Sequence, residues 1–236
     1  MKKHLFLSIL FVLLIVSPQV CLAAPKAELV NPVFTFDPLP EGQALVHEFI
    51  IRNTGDAPLN ILSVLPPWGC DKHAYDRQIP PGGEGRIKIG VKTGGYGGKT
   101  MIKKIKVKTD DPENRQFDLV ITGRVDHIVK IVPSTVSLSG APGQELKAVV
   151  TITPAEKYGF SILELSQKIN TQIQAELIPP QSGSKDWQVQ IKASSDKADD
   201  LYDIITLKTD SPYKPKLKIR VYAIYLDDNG EKSWLP

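Results

Sequence analysis

The chain has 236 residues, of which 42% are hydrophobic and 23% charged, with 19 prolines, 17 glycines and a formal net charge of +3. That length suffices for one or two domains of roughly 100–150 residues each, and the abundance of turn formers suits an all-β chain. A charge this close to zero argues against nucleic acid or an anionic membrane surface as partner.

Residues 1–23 read as a cleavable secretory signal. Lys2 and Lys3 supply the basic start, Leu5 to Val16 is an apolar core, Ser17-Pro18 breaks the helix, and Cys21 and Ala23 are small residues ahead of a cut after Ala23. The apolar run is short against the ~20 residues of a membrane span. The mature chain is therefore expected to be periplasmic or secreted, with no span after cleavage. Removing Lys2 and Lys3 lowers the net charge to +1, and Cys70 becomes the one cysteine left, which rules out an intramolecular disulfide.

The first domain is expected over residues 24–126. Asn31 to Asp37 opens it as a short strand, Pro38 to Gly42 turns, and Ala44 to Arg52 alternates apolar and polar residues as a strand does. Asn53-Thr54-Gly55-Asp56 is a turn, and Leu59 to Leu65 is the next strand. Pro66 to Cys70 interrupts it, and the polar stretch Asp71 to Gln78 reads as loop or short turn. Arg86 to Val91 alternates again before the glycine-rich Gly94-Gly95-Tyr96-Gly97-Gly98. In Lys103 to Val125, Ile105 and Val107 alternate with lysines, Asp110-Asp111-Pro112 breaks the run, and Phe117, Leu119 and Ile121 resume it. About seven short strands in about 100 residues is the rhythm of an immunoglobulin-like sandwich.

The same pattern returns about one hundred residues later without a gap. Lys108-Thr109-Asp110 is matched by Lys208-Thr209-Asp210, Pro112 by Pro212, and Phe117, Leu119 and Ile121 by Leu217, Ile219 and Val221. This predicts an internal duplication, with a second domain over 127–227 and a tail over 228–236. By the same alignment Val150 and Ile152 stand for Phe49 and Ile51, and Phe160, Ile162 and Leu165 for Leu59, Ile61 and Val64. The fold class expected is all-β, two tandem immunoglobulin-like sandwiches.

Candidate functional residues lie in the first domain alone. Cys70 and His73 have C-x-x-H spacing, which offers a soft-metal pair, although a tight site needs three or four ligands. Cys70 as a nucleophile needs His73 as base and Asp71 or Asp76 to orient it, and no oxyanion donor accompanies them. The glycine-rich segment lacks the Gly-Lys-Ser/Thr ending of a phosphate loop and leads into a strand, so it reads as a turn. Trp68, Tyr75 and Tyr96, with Lys72, Arg77 and Lys99, are expected near one end of the domain, where aromatics and cations on loops form contact surfaces. The lysines at 103, 104, 106 and 108 and at 214, 216 and 218 read as solvated strand faces.

Asn53-Thr54-Gly55, Ile61 to Val64, Trp68-Gly69-Cys70, Pro81-Gly82, Gly98 and Thr109-Asp110-Asp111-Pro112, taken in order, resemble the bacterial family called domain of unknown function 1573 over about Ala44 to Val125. The resemblance implies an exported immunoglobulin-like module of the cilia- and pilus-chaperone kind, with a weaker second copy behind it and no assigned reaction. The chain departs from the family pattern at Trp68, where the first cysteine of a Cys-Gly-Cys loop would stand, so the vicinal thiol pair is missing. The expected function is a non-enzymatic binding or structural module of the cell envelope, needing no cofactor, whose partner is another envelope or secreted protein. The alternative is metal or thiol handling by Cys70 and His73.

Overall fold

The computed structural model describes residues 23–167 and 171–227. The expected signal segment, residues 1–23, lies almost wholly outside them, as does the expected tail from 228 onward. The described residues form seventeen β-strands and one short 3-10 turn.

Nine strands build the first sandwich: β1 (Ala27–Val30), β2 (Val33–Pro40), β3 (Ala44–Asn53), β4 (Leu59–Leu65), β5 (Cys70–Tyr75), β6 (Gln78–Ile79), β7 (Glu84–Lys92), β8 (Thr100–Thr109) and β9 (Gln116–Asp126). One sheet has the order β1-β3-β7-β5, the other β2-β9-β8-β4-β6. The period-2 sequence makes these strands. In β8, Met101, Lys103, Ile105 and Val107 face inward while Ile102, Lys104, Lys106 and Lys108 face out. The two inner faces meet in a core that includes Phe49, Ile51, Ile87, Ile89, Ile105, Leu119 and Ile121, each at most 1% exposed. Truncating any one of these to alanine would cost about 2–5 kcal/mol.

Eight strands build the second: β10 (Val129–Val132), β11 (Thr135–Gly140), β12 (Leu146–Pro154), β13 (Ile162–Ser166), β14 (Ile173–Ile178), β15 (Trp187–Ala193), β16 (Asp199–Thr209) and β17 (Lys216–Tyr225). Its sheets run β10-β12-β15-β14 and β11-β17-β16-β13 around a separate core. Strand for strand this is the order of the first sandwich without β6. Ile105 pairs with Leu119 and Val107 with Phe117, as Ile205 pairs with Ile219 and Leu207 with Leu217. A register irregularity falls at Ile61/Ser63 in β4 and at Ile162/Glu164 in β13. The chain is thus all-β, two immunoglobulin-like sandwiches in tandem.

Three sequence expectations need correction. The polar Asp71 to Gln78 stretch is not loop: most of it is the edge strand β5, whose exposed position removes the apolar alternation that would mark it. Phe49 pairs with Ile87, and it is Ile152 that pairs with the equivalent Trp187, so Val150 stands for His47, one pleat away from the alignment expected. Lys103 is no surface lysine, being only 5% exposed on the core face of β8.

The turns explain the motif residues. Asn53 is fully buried, accepts from the Lys26 and Gly55 amides, and donates to the Ala57 and Ile79 carbonyls. Any side chain at Gly55 would run into the Ala24 carbonyl, 2.2 Å from where its Cβ would sit. Asp111, also fully buried, accepts from the amides of Ala27 and Glu113 at 2.7 and 2.8 Å and so pins β1 to the β8–β9 turn. Asp110 accepts from the Asn60 amide at 2.8 Å, as Asp210 does from that of Ser161 at 2.7 Å.

Between the sandwiches, Asp126 accepts from Lys157 Nζ at 3.0 Å and from the Tyr158 hydroxyl at 2.8 Å. Glu41 pairs with Lys214 at 3.2 Å while its other carboxylate oxygen accepts from the Gly95 amide at 2.8 Å.

Candidate functional site

The residues between β4 and β5 make the most unusual surface of the first sandwich. Pro66 and Pro67 end β4, because proline cannot donate to a ladder. The Cys70 amide then donates to the Pro67 carbonyl at 3.1 Å, closing a turn whose Gly69 has φ +79°, a backbone that only glycine adopts without strain. The turn points Trp68 outward, and the residue is 87% exposed.

Lys103 fixes this turn from inside. Its Nζ donates to the Trp68 carbonyl at 2.7 Å and lies 4.9 Å from the centre of the Tyr96 ring and 5.8 Å from that of Trp68. A buried ammonium is costly unless it is compensated; here one carbonyl and two aromatic faces compensate it. Tyr96 itself packs partly against the core, on the glycine-rich turn between β7 and β8. Beside Trp68 opens a cleft of about 750 Å³ lined by Pro66, Pro67, Trp68, Cys70, Lys92 and Gly94, among others, and mostly apolar.

Cys70 lines that cleft and packs partly against the core. Burial pushes its thiol above the ordinary value; the Lys103 charge works against this and Asp71 adds to it. The upward shift favours the protonated thiol, the weaker nucleophile.

The structure does not bring His73 to this thiol. Cys70 faces inward opposite Val91 in β7. Gly90, between the inward Ile89 and Val91, presents its Cα to the outer face, and the His73 ring lies there: a Cβ on Gly90 would meet His73 Nε2 at 2.4 Å. The two C-x-x-H side chains thus sit on opposite faces of one sheet, separated by the register irregularity between Lys72 and Ala74. Among the described residues no three His, Cys, Asp or Glu side chains converge as a ligand set.

Of the expected aromatics, Trp68 and Tyr96 are brought together through Lys103, whereas Tyr75 is not. Tyr75 closes the far end of β5 opposite Ile87, where Lys72 Nζ lies 5.1 Å from its ring centre. Lys103 is the site residue that reading the sequence missed. The signal was the Lys103-Lys104 doublet: strict alternation allows only one of them to face solvent, and Met101, Ile105 and Val107 put Lys103 on the core side.

Residues 27–125, nearly all of the first sandwich, match the family described as Protein of unknown function (DUF1573). The match stops at the last residues of β9, and the second sandwich lies outside it. No curated protein matches the chain. Among solved structures, the chain is similar to a protein of unknown function from Porphyromonas gingivalis W83 at 12% identity and TM-score 0.34, covering 84% of this chain and 99% of that one. It is also similar to the ASH / PapD-like domain of human CEP192 at 15% identity and TM-score 0.37, covering 53% of this chain and 99% of that one. The Dpr11 IG1 structure bound to DIP-gamma IG+IG2 is matched at 10% identity and TM-score 0.30, over 85% of this chain and 99% of that one. These are likenesses of fold alone.

Proposed function

We propose that this chain, whose first sandwich matches the DUF1573 family, is an exported, non-enzymatic binding module of the cell envelope that engages another envelope or secreted protein through the Trp68 turn. The observation that carries the reading is an 87% exposed tryptophan on a turn whose backbone is held rigidly by a buried lysine at 2.7 Å, beside an apolar cleft. Large apolar side chains are ordinarily withdrawn from water, and a preorganised aromatic anchor is the usual centre of a protein contact. A rigid anchor loses little conformational freedom on binding. The second sandwich, in this reading, is a duplicated unit that kept the scaffold and lacks the turn.

Crosslinking and capture from envelope extracts tests this. The wild-type chain should recover a reproducible partner, and Trp68→Ala should lose it while unfolding at the same denaturant concentration. Equal recovery by the Trp68→Ala variant would reject the Trp68 turn as the contact.

The second reading, metal or thiol handling, draws on Cys70 lining the same cleft. Near-stoichiometric copper or zinc in protein purified without chelators, lost in Cys70→Ala, would favour it over the first.

A further inference from the structure

A sheet edge offers a row of free amide and carbonyl groups, and proteins guard such edges with charges, prolines, bulges or short strands. Almost every edge among the described residues is guarded. β1 and β10 have four residues each and β6 has two. β2 carries Pro38 and Pro40 and a register irregularity between Phe36 and Leu39. β5 and β13 each carry an irregularity and charged residues, Asp71 and Lys72 in the one and Glu164 in the other. β14 is closed by a side chain: Gln167 accepts from the Ala175 amide at 3.1 Å and donates to the Ile173 carbonyl at 2.9 Å, as a neighbouring strand would.

β11 has none of these. Thr135–Gly140, TVSLSG, is neutral, free of proline, and runs parallel to β17 in unbroken register. The Gly140 carbonyl accepts from the Leu226 amide, so the groups of Gly140, Leu138 and Val136 point toward β17. Those of Thr135, Ser137 and Ser139 then point away from the sheet. Gln144 closes only the end of the strand, by accepting from the Ala141 amide.

We infer that β11 is a self-pairing edge: two copies of this chain join antiparallel about a two-fold axis at Ser137 and fuse their four-stranded sheets. The sequence is self-complementary in that register. Ser137 lies opposite Ser137 and Thr135 opposite Ser139, which pairs every outward donor and acceptor in on the order of six backbone hydrogen bonds. On the inner face Val136, 2% exposed, lies opposite the partly buried Leu138, apolar against apolar. On the outer face only small hydroxyl side chains meet, and no like charges oppose each other, as they would if Lys130 or Glu28 edges were paired. Flanking the seam, Tyr222 beside Ser137 and Ile224 beside Ser139 are 40% and 37% exposed, an apolar stripe that the pairing would continue from one copy to the next. A closed two-fold contact of this kind uses the same patch twice and ends there.

Light scattering on the purified protein across a concentration series tests the inference. The mass should rise from one chain to two. Ser137→Lys, which sets two ammonium groups face to face without altering the backbone, should weaken association at least tenfold with unchanged circular dichroism. Under a mild oxidant such as dissolved oxygen with copper-phenanthroline, Ser137→Cys should form a covalent dimer on denaturing gels that reductant cleaves, because the paired Cα atoms would stand about 5.5 Å apart, within disulfide reach; the chain with Ser137 unchanged is its control. A mass of one chain at every concentration would overturn the inference, as would association undiminished in Ser137→Lys or a dimer in which Ser137→Cys fails to crosslink. Pairing of a monomeric chain with an extended segment of some other protein would likewise overturn self-pairing.

Discussion

The two sandwiches share strand order, hairpin register and the Thr-Asp turn, and they differ in what fills the equivalent inward place on the long hairpin. In the first it is Lys103, reaching the Trp68 carbonyl; in the second it is Asp203, fully buried, which faces the Gln167 side chain at 3.5 Å. Each charged group ties the last strand pair to the segment that follows the fourth strand. The lysine holds a turn that shows a tryptophan to solvent, and the aspartate holds a glutamine that shuts a sheet edge. One strand order thus supports an open surface in one sandwich and a closed edge in the other, with Lys103 and Gly69 setting the first and Asp203 and Gln167 the second.

The largest expected effect falls on Asn53, which has no counterpart on the equivalent strand of the second sandwich. Asn53→Ala strands two carbonyls and two amides and should destabilise the first sandwich by about 3 kcal/mol, read by hydrogen exchange as lost protection in β1, β3 and β7 with the second sandwich unchanged. Equal loss in both would show that they unfold as one unit.

Next comes the turn acid. Burial alone would raise the pKa of Asp111, but the amides of Ala27, Glu113 and Asn114 and the Asn114 side chain outweigh it, and the net shift is downward. Its contribution is present above the unfolded carboxylate value and lost as pH falls through the folded one. Asp111→Asn should therefore lower stability at neutral pH and flatten the acid limb; the second sandwich has Ser211 at this place, before Pro212, and Ser211→Ala should leave its pH dependence untouched.

His47 distinguishes the two sandwiches more gently. It stacks on Phe34 at 3.6 Å and meets Phe49 edge-on at 4.6 Å, where the second sandwich has Val150. Burial lowers its pKa from 6.5 and Glu48 partly opposes this, so the unfolded chain takes up protons first. Stability from the neutral ring is complete above 6.5 and declines as pH falls below it. His47→Phe should remove that part of the slope in equilibrium unfolding.

Smallest in stability is Lys103→Met. Replacing a buried charge by an apolar side chain of similar length should change unfolding by about 1 kcal/mol or less. It should instead loosen the Trp68 turn, seen as faster amide exchange over residues 68–70. It should also raise the Cys70 pKa further, because the opposing positive charge is gone, and so slow alkylation of the thiol at a given pH. Unchanged exchange and unchanged alkylation would show that Lys103 does not hold the turn.

The hairpin β8–β9 was legible in the sequence because its apolar side is fully buried: Ile105, Val107, Leu119 and Ile121 alternate without a break, and the one-hundred-residue offset to β16–β17 holds in the pairing. β5 was not legible, since an edge strand packing only Cys70 and Tyr75 inward leaves Asp71, Lys72, His73 and Ala74 exposed and erases the period. The C-x-x-H spacing misled for a related reason: on a strand, residues three apart fall on opposite faces unless a bulge intervenes, and here the irregularity leaves His73 outward. The direction of Trp68 depended on Gly69 and Lys103 together, a contact across 35 positions that no local pattern encodes.

Because β2 runs parallel to β9 and β11 parallel to β17, each unit takes in the chain at one pole and lets it out at the other. Tension along the molecule would load those terminal pairs in shear, with their bonds sharing the force and failing together. The β2–β9 seam is interrupted between Phe36 and Leu39, while β11–β17 is continuous from Thr135 to Gly140. Of the two links in this chain, the second is therefore built to resist being pulled.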